Sequence, residues 1–174
     1  MTSEARMEGR IDLAKRGDRA ALEELVREHY ARVYRFCARR IGDDWAADAT
    51  QETFVTMQKT LKNFKRASTL DTWLLGIAHN HCRNLARKKG KEFQATETWL
   101  SQLADRQSHS VIDREALKAA MAQLSDEHRE VVLLHEVEEL RYADIAEILG
   151  VPEGTVKSRL HHAFLNLRRW LNES

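Results

Sequence analysis

The segment from Tyr142 to Arg169 limits the possible folds more than any other. Ala143, Ile145, Ala146, Ile148 and Leu149 make its first part largely apolar. Gly150 follows, a residue whose permissive backbone ends helices. Pro152, the chain's one proline, has no N–H to donate and fits best at the start of a second helix. From there Val156, Leu160, Ala163, Leu167 and Leu171 recur at helical spacing. The other faces carry Thr155, Lys157, Ser158, Arg159, His161, His162 and Arg168. Such a helix packs by one stripe and offers basic and hydroxyl groups elsewhere, which suits a DNA major groove. The alternative is an ordinary helical hairpin with a solvated outer face.

The rest of the chain also reads as helix. Its 174 residues include only seven glycines, and its apolar residues return at helical intervals among many charges. The expected fold is all-α: two small helical domains joined by a polar linker, the C-terminal one containing a helix-turn-helix. No apolar run approaches the roughly 18 residues of a membrane span. The N-terminus, with Glu4, Arg6, Glu8 and Arg10, is too polar for a signal peptide. Cys37 and Cys82 make no disulfide framework, and a cytoplasmic location is expected.

Charge divides unevenly. Residues 1–90 hold 18 Lys/Arg against 12 Asp/Glu, and residues 91–174 hold 10 against 15. The helix-turn-helix therefore lies in the acidic half, although no acid falls between Val156 and Trp170. The acids gather earlier, among them Asp126, Glu127, Glu130, Glu138, Asp144 and Glu147. They form either a solvated face or a surface for a protein partner. DNA docking would depend on local rather than domain charge.

Along the chain, residues 11–40 alternate apolar and charged positions as one helix. Gly42-Asp43-Asp44 is a turn, with Asp43 or Asp44 a capping residue. A helix over about 45–61 would bury Ala47, Thr50, Phe54, Met57 and Leu61. A polar loop over 63–69 holds Phe64, and a helix over about 70–89 follows. Residues 91–112 lose the apolar period and read as a linker, with a helical turn near 99–103. The expected domains are thus 1–90 and 113–174. In the second, Ser125 should cap a helix running through Val137.

Several motifs now fall in a telling order: Asp48 to Phe54, then Thr72-Trp73-Leu74 and Ile77-Ala78-His79-Asn80, then Gly154 to His161. Their order and spacing resemble bacterial RNA polymerase sigma factors of the extracytoplasmic-function (ECF) type, over about residues 11–171. Ala49, Met57, Asn84 and Arg141 depart from the usual pattern, mostly at core and capping positions. The resemblance implies a first domain that binds core polymerase and the promoter minus-ten element, and a second that reads the minus-thirty-five element. It also implies a specificity subunit rather than an enzyme. Its partners would be the β′ and β subunits of core polymerase, promoter DNA and an anti-sigma factor, with no direct membrane insertion.

Asp48, Gln51 and Glu52 share one helix face by spacing. The resemblance makes that face a docking site for polymerase; a solvated face is the plain alternative. Phe64 stands among Lys62, Lys65 and Arg66, a grouping that can stack an unpaired base while cations hold phosphates. By resemblance, Phe64, Lys65, Arg66, Ser68, Asp71, His79, Asn80 and Arg83 serve the minus-ten element. Phe64 could instead be a hydrophobic plug beneath its loop, and Trp73 is better read as core. For the minus-thirty-five element the candidates are Thr155, Lys157, Ser158, Arg159, His161 and His162. His79 and Cys82 share a helix face, but no second ligand cluster accompanies them, so no metal is expected. Nothing suggests a catalytic triad, a phosphate-cradling loop or a cofactor. The rival function is a stand-alone helix-turn-helix regulator, which would leave the motifs of the first domain unexplained.

Overall fold

The computed structural model describes residues 1–90, 101–103, 105 and 113–173. The first half contains α1 (Ser3–Lys15), α2 (Arg19–Ile41), α3 (Asp43–Thr60), a 3-10 turn at Leu61–Asn63 and α4 (Leu70–Lys88). The second contains α5 (Arg114–Gln123), α6 (Asp126–Glu136), α7 (Tyr142–Leu149) and α8 (Glu153–Glu173). No strand occurs among the described residues. The expected linker lies largely outside them, although residues 101–103 are helical and Leu103 is buried.

Residues 11–40 do not form one helix. The break falls at Arg16-Gly17-Asp18, where Gly17 takes φ of 91°. Asp18 then caps α2 by accepting the Ala21 amide at 2.8 Å. Thr69, Asp113 and Ser125 cap α4, α5 and α6 in the same way. The core of the first half runs through Leu25, Val33, Phe36, Met57, Leu74 and Leu75, all fully buried. In α3 the buried stripe is shifted from expectation: Ala46, Ala49 and Thr53 face inward and Ala47 is exposed.

In the second half, α8 packs on α5, α6 and α7. Val156, Leu160, Ala163 and Leu167 are buried, and Leu171 is partly so. Gly150 closes α7 in the left-handed conformation at φ 67°. The Pro152 carbonyl accepts the amides of Thr155 and Val156 as α8 begins. The two halves also touch, with α7 lying against α4. At Gly76, in α4, an added Cβ would sit 3.9 Å from the Ile148 Cα of α7.

Candidate nucleic-acid and polymerase interfaces

The recognition helix α8 turns its apolar stripe inward and leaves Lys157, Ser158, His161 and His162 exposed, with Thr155 and Arg159 half-buried. Its basic and polar groups are thus displayed along one side. His162 Nδ1 donates to the Ser158 carbonyl at 2.9 Å. That bond puts the proton of the neutral ring on Nδ1 and leaves Nε2 as an acceptor. The His162 ring lies parallel to His128 at 6.3 Å and edge-on to His161 at 5.6 Å. No local signal places His128 beside His162, because His128 belongs to α6 and meets α8 only through the fold. Arg159 is paired with Glu127 at 3.1 Å. Its guanidinium is therefore held toward α6 and must leave that carboxylate to reach a base.

The minus-ten candidates divide into two groups. Lys65, Asn80 and Arg83 are exposed. Arg66 is exposed with φ of 57°, and it binds the Asp12 carboxylate at 2.7 Å. That bond, more than the nearby charges, holds the Asp12 carboxyl below its ordinary range. Asp71 accepts from His29 at 2.6 Å, and this bond lowers its carboxyl likewise.

Phe64 and His79 differ from expectation. Phe64 is only 3 % exposed. Its ring sits 5.0 Å from Trp73, and Lys15 donates to its carbonyl at 2.5 Å. It plugs the base of the loop and presents no face on which a base could stack. The cause is apolar area: a phenylalanine beside a partly buried tryptophan gains more by packing than by standing in water. His79 is 1 % exposed. Arg40 Nη2 donates to its Nδ1 at 2.6 Å. Burial first, then the nearby charges of Arg40 and Arg83, push the imidazole down to about 2, so the ring is neutral.

Asp48, Gln51 and Glu52 are exposed on α3. Asp48 and Glu52 line a shallow cleft closed on its other side by α4, with His81, Asn84, Arg87 and Lys88. The cleft thus carries acids on one wall and bases on the other. Cys37 and Cys82 are both fully buried between α2 and α4. The hydrogen bond with Cys37, together with burial, raises the Cys82 thiol. Among the described residues no group of three or more His, Cys, Asp or Glu is arranged to hold a metal. No described helix is long and apolar enough to cross a membrane.

Contacts between the halves were invisible in the sequence. The Arg40 guanidinium, fully buried, bridges His79 and Glu130. Arg39 grips both oxygens of Glu138 at 3.2 and 3.0 Å. Thr72 donates to Asp144 at 3.3 Å and Ser68 to Glu147 at 2.9 Å. The local signals were an Arg-Arg doublet ending α2 and an acidic cluster, and neither names its partner.

Comparison with known proteins gives a consistent result. Residues 25–92 match the family described as Sigma-70 region 2, and residues 114–167 match Sigma-70 region 4. The chain is 34% identical over 165 residues to the RNA polymerase sigma factor YlaC of Bacillus subtilis, spanning 90% of this chain and 95% of that one. It is 30% identical over 182 residues to the ECF RNA polymerase sigma factor SigW of the same organism, spanning 94% and 96%. It is 35% identical to the ECF RNA polymerase sigma factor SigE of Mycolicibacterium smegmatis, of which it spans 64%. The fold resembles CnrH, solved in complex with the cytosolic domain of CnrY. The TM-score is 0.65 at 22% identity, over 95% of this chain and 96% of that one. It also resembles the sigma factor RpoE of Bartonella quintana, solved with the anti-sigma factor NepR, with a TM-score of 0.58 at 23% identity.

Proposed function

This chain belongs to the ECF sigma factors, and from that membership we propose how its residues divide the work. It binds core RNA polymerase, recognises a promoter and promotes transcription initiation. Residues 1–90 serve core polymerase and the minus-ten element, residues 91–112 link, and residues 113–174 read the minus-thirty-five element. The bond-making chemistry belongs to polymerase, so this chain is a specificity subunit and not an enzyme. Its place of work is the cytoplasm.

On this reading Lys157, Ser158, His161 and His162 meet the minus-thirty-five duplex, with Thr155 and Arg159 at the edge of the contact. Basic side chains supply phosphate attraction, and the hydroxyl and imidazole groups can read base edges. Asn80 meets the minus-ten element through an amide that both donates and accepts. Lys65, Arg66 and Arg83 neutralise phosphates nearby, with Ser68 and Asp71 at the margin. Phe64 supports this surface from beneath, through Trp73, rather than stacking on a base. Asp48, Gln51 and Glu52 dock polymerase. The similar fold of RpoE, solved with the anti-sigma factor NepR, supports an anti-sigma partner here.

One observation carries the reading: the two sigma regions occur in order on one chain, matched nearly end to end by YlaC and SigW. A free-standing helix-turn-helix regulator needs only the second region. Gel filtration of this protein mixed with core polymerase separates the two readings. Co-elution supports the sigma assignment; separate elution, with duplex binding intact, favours the free-standing regulator.

A further inference from the structure

The loop between α3 and α4 carries the minus-ten candidates Lys65, Arg66 and Ser68, and a helix with no role so far takes part in shaping it. Arg66 takes φ of 57°, in the left-handed region that a residue other than glycine enters at a cost. Such a conformation persists only where the surroundings impose it. Here α1 supplies the restraint. The Lys15 ammonium donates to the Phe64 carbonyl at 2.5 Å and stands 5.7 Å from the centre of the same ring. The Asp12 carboxylate accepts from Arg66 Nη2 at 2.7 Å, and the Glu8 carbonyl accepts from the same nitrogen at 3.4 Å. Glu8, Asp12 and Lys15 are spaced four and three residues apart, so they share one face of α1.

A brace must itself be fixed, and α1 is. Ile11 and Ala14 are buried, and Met7 packs against the core. Arg10 pairs with Glu24 of α2 at 2.9 Å and also with Glu28. The loop is held from below by the Phe64 ring against Trp73, and it ends at the Thr69 cap of α4. Arg66 is thus restrained from the side by α1. Its anchor does not exhaust it: a guanidinium carries five N–H donors, and both contacts above use one nitrogen.

We propose that α1 positions the minus-ten loop, with Asp12 and Lys15 as positioning residues that touch no base. They hold Lys65 and Arg66 in the arrangement that meets the strand before the strand arrives, so that less ordering cost is taken out of binding. The inference rests on the minus-ten role proposed for this loop. Asp12 separates it from simple charge effects by sign. Electrostatics alone makes removal of an acid beside Arg66 tighten binding to any strand. Bracing makes the same removal weaken preference for the right one.

The test uses holoenzyme assembled from core polymerase and the full chain. The probe is a single-stranded oligonucleotide with the non-template minus-ten sequence of a start site mapped by run-off transcription, compared with a scrambled strand of the same composition. The parent should prefer the first strand. Asp12→Ala should lower that preference at least about fivefold, while its affinity for the scrambled strand is equal or higher. Asp12→Glu, which keeps a carboxylate, should restore the preference. An undiminished preference in Asp12→Ala overturns the proposal. A parent without any preference removes the minus-ten assignment of the loop, and the proposal falls with it. A second measurement follows the loop without DNA. Trypsin cuts after Lys65 and Arg66. In the free protein, cleavage there, read by mass spectrometry, should be at least about fivefold faster in Asp12→Ala and in Lys15→Met than in the parent. Asp12 is exposed and Lys15 only half-buried, so the urea midpoint should stay near that of the parent and exclude global unfolding as the cause. Equal cleavage rates would mean that α1 does not hold the loop.

Discussion

Replacing Phe64 with alanine separates a buried plug from an exposed stacking platform. The ring is 3 % exposed and lies 5.0 Å from Trp73, with the Lys15 ammonium 5.7 Å from its centre. Truncating a buried phenylalanine costs about 3–5 kcal/mol, depending on how far the site collapses. Phe64 lies at the rim of the core under a polar loop that can settle, so a loss of about 3 kcal/mol is expected. The aromatic pair with Trp73 supplies about 0.5–1.5 kcal/mol of this beyond area burial. Urea unfolding followed by far-UV circular dichroism should show a lower midpoint with an unchanged slope. A double-mutant cycle with Trp73→Leu should return the pair energy as non-additivity. A stability loss below about 1 kcal/mol, the size of an ordinary surface change, would refute the burial argument. If open-complex formation alone were then impaired, the ring would swing out to meet a base.

Three further outcomes follow from the same geometry. His79 is held neutral, with its folded value near 2 against an ordinary 6.5. The unfolded chain therefore takes up a proton first, so stability is full above about pH 6.5 and falls below it, by about 1.4 kcal/mol at pH 5.5; thermal melts should show this slope, and His79→Gln should remove its share. Lys at both Asp48 and Glu52 should abolish binding to core polymerase while helicity stays within experimental error, since exposed substitutions rarely unfold a domain; an undiminished pull-down would return this face to solvent. Arg159→Ala should weaken promoter binding by about 1–3 kcal/mol if the side chain leaves Glu127 for a base; unchanged binding on every promoter would confine Arg159 to its pairing with Glu127.

What the sequence revealed follows the range of each signal. The helix-turn-helix was legible because Gly150, Pro152 and the stripe from Val156 to Leu167 act within a few residues of one another. The cap at Ser125 was local too. The break at Gly17-Asp18 carried its own signal, a glycine followed by a capping aspartate, but the apolar period continued across it and masked it. Phe64 shows a different limit. An aromatic among cations has the same local pattern whether it points out to a base or in toward Trp73, and only tertiary packing distinguishes the two. The acidic cluster is the furthest case. Glu130 and Glu138 find partners 90 and 99 residues away, beyond any periodicity argument. Neither a solvated face nor a separate protein describes those two residues, because their partner is the other half of the same chain.

As a sigma factor, this chain confers promoter selectivity on polymerase that lacks it. Run-off transcription on genomic fragments, with core polymerase alone and with core polymerase plus this protein, tests that claim most directly. Start sites should appear only when the protein is present, each preceded by a shared pair of sequence elements. Transcripts identical with and without the protein, under conditions where it is folded and bound to core, would contradict it.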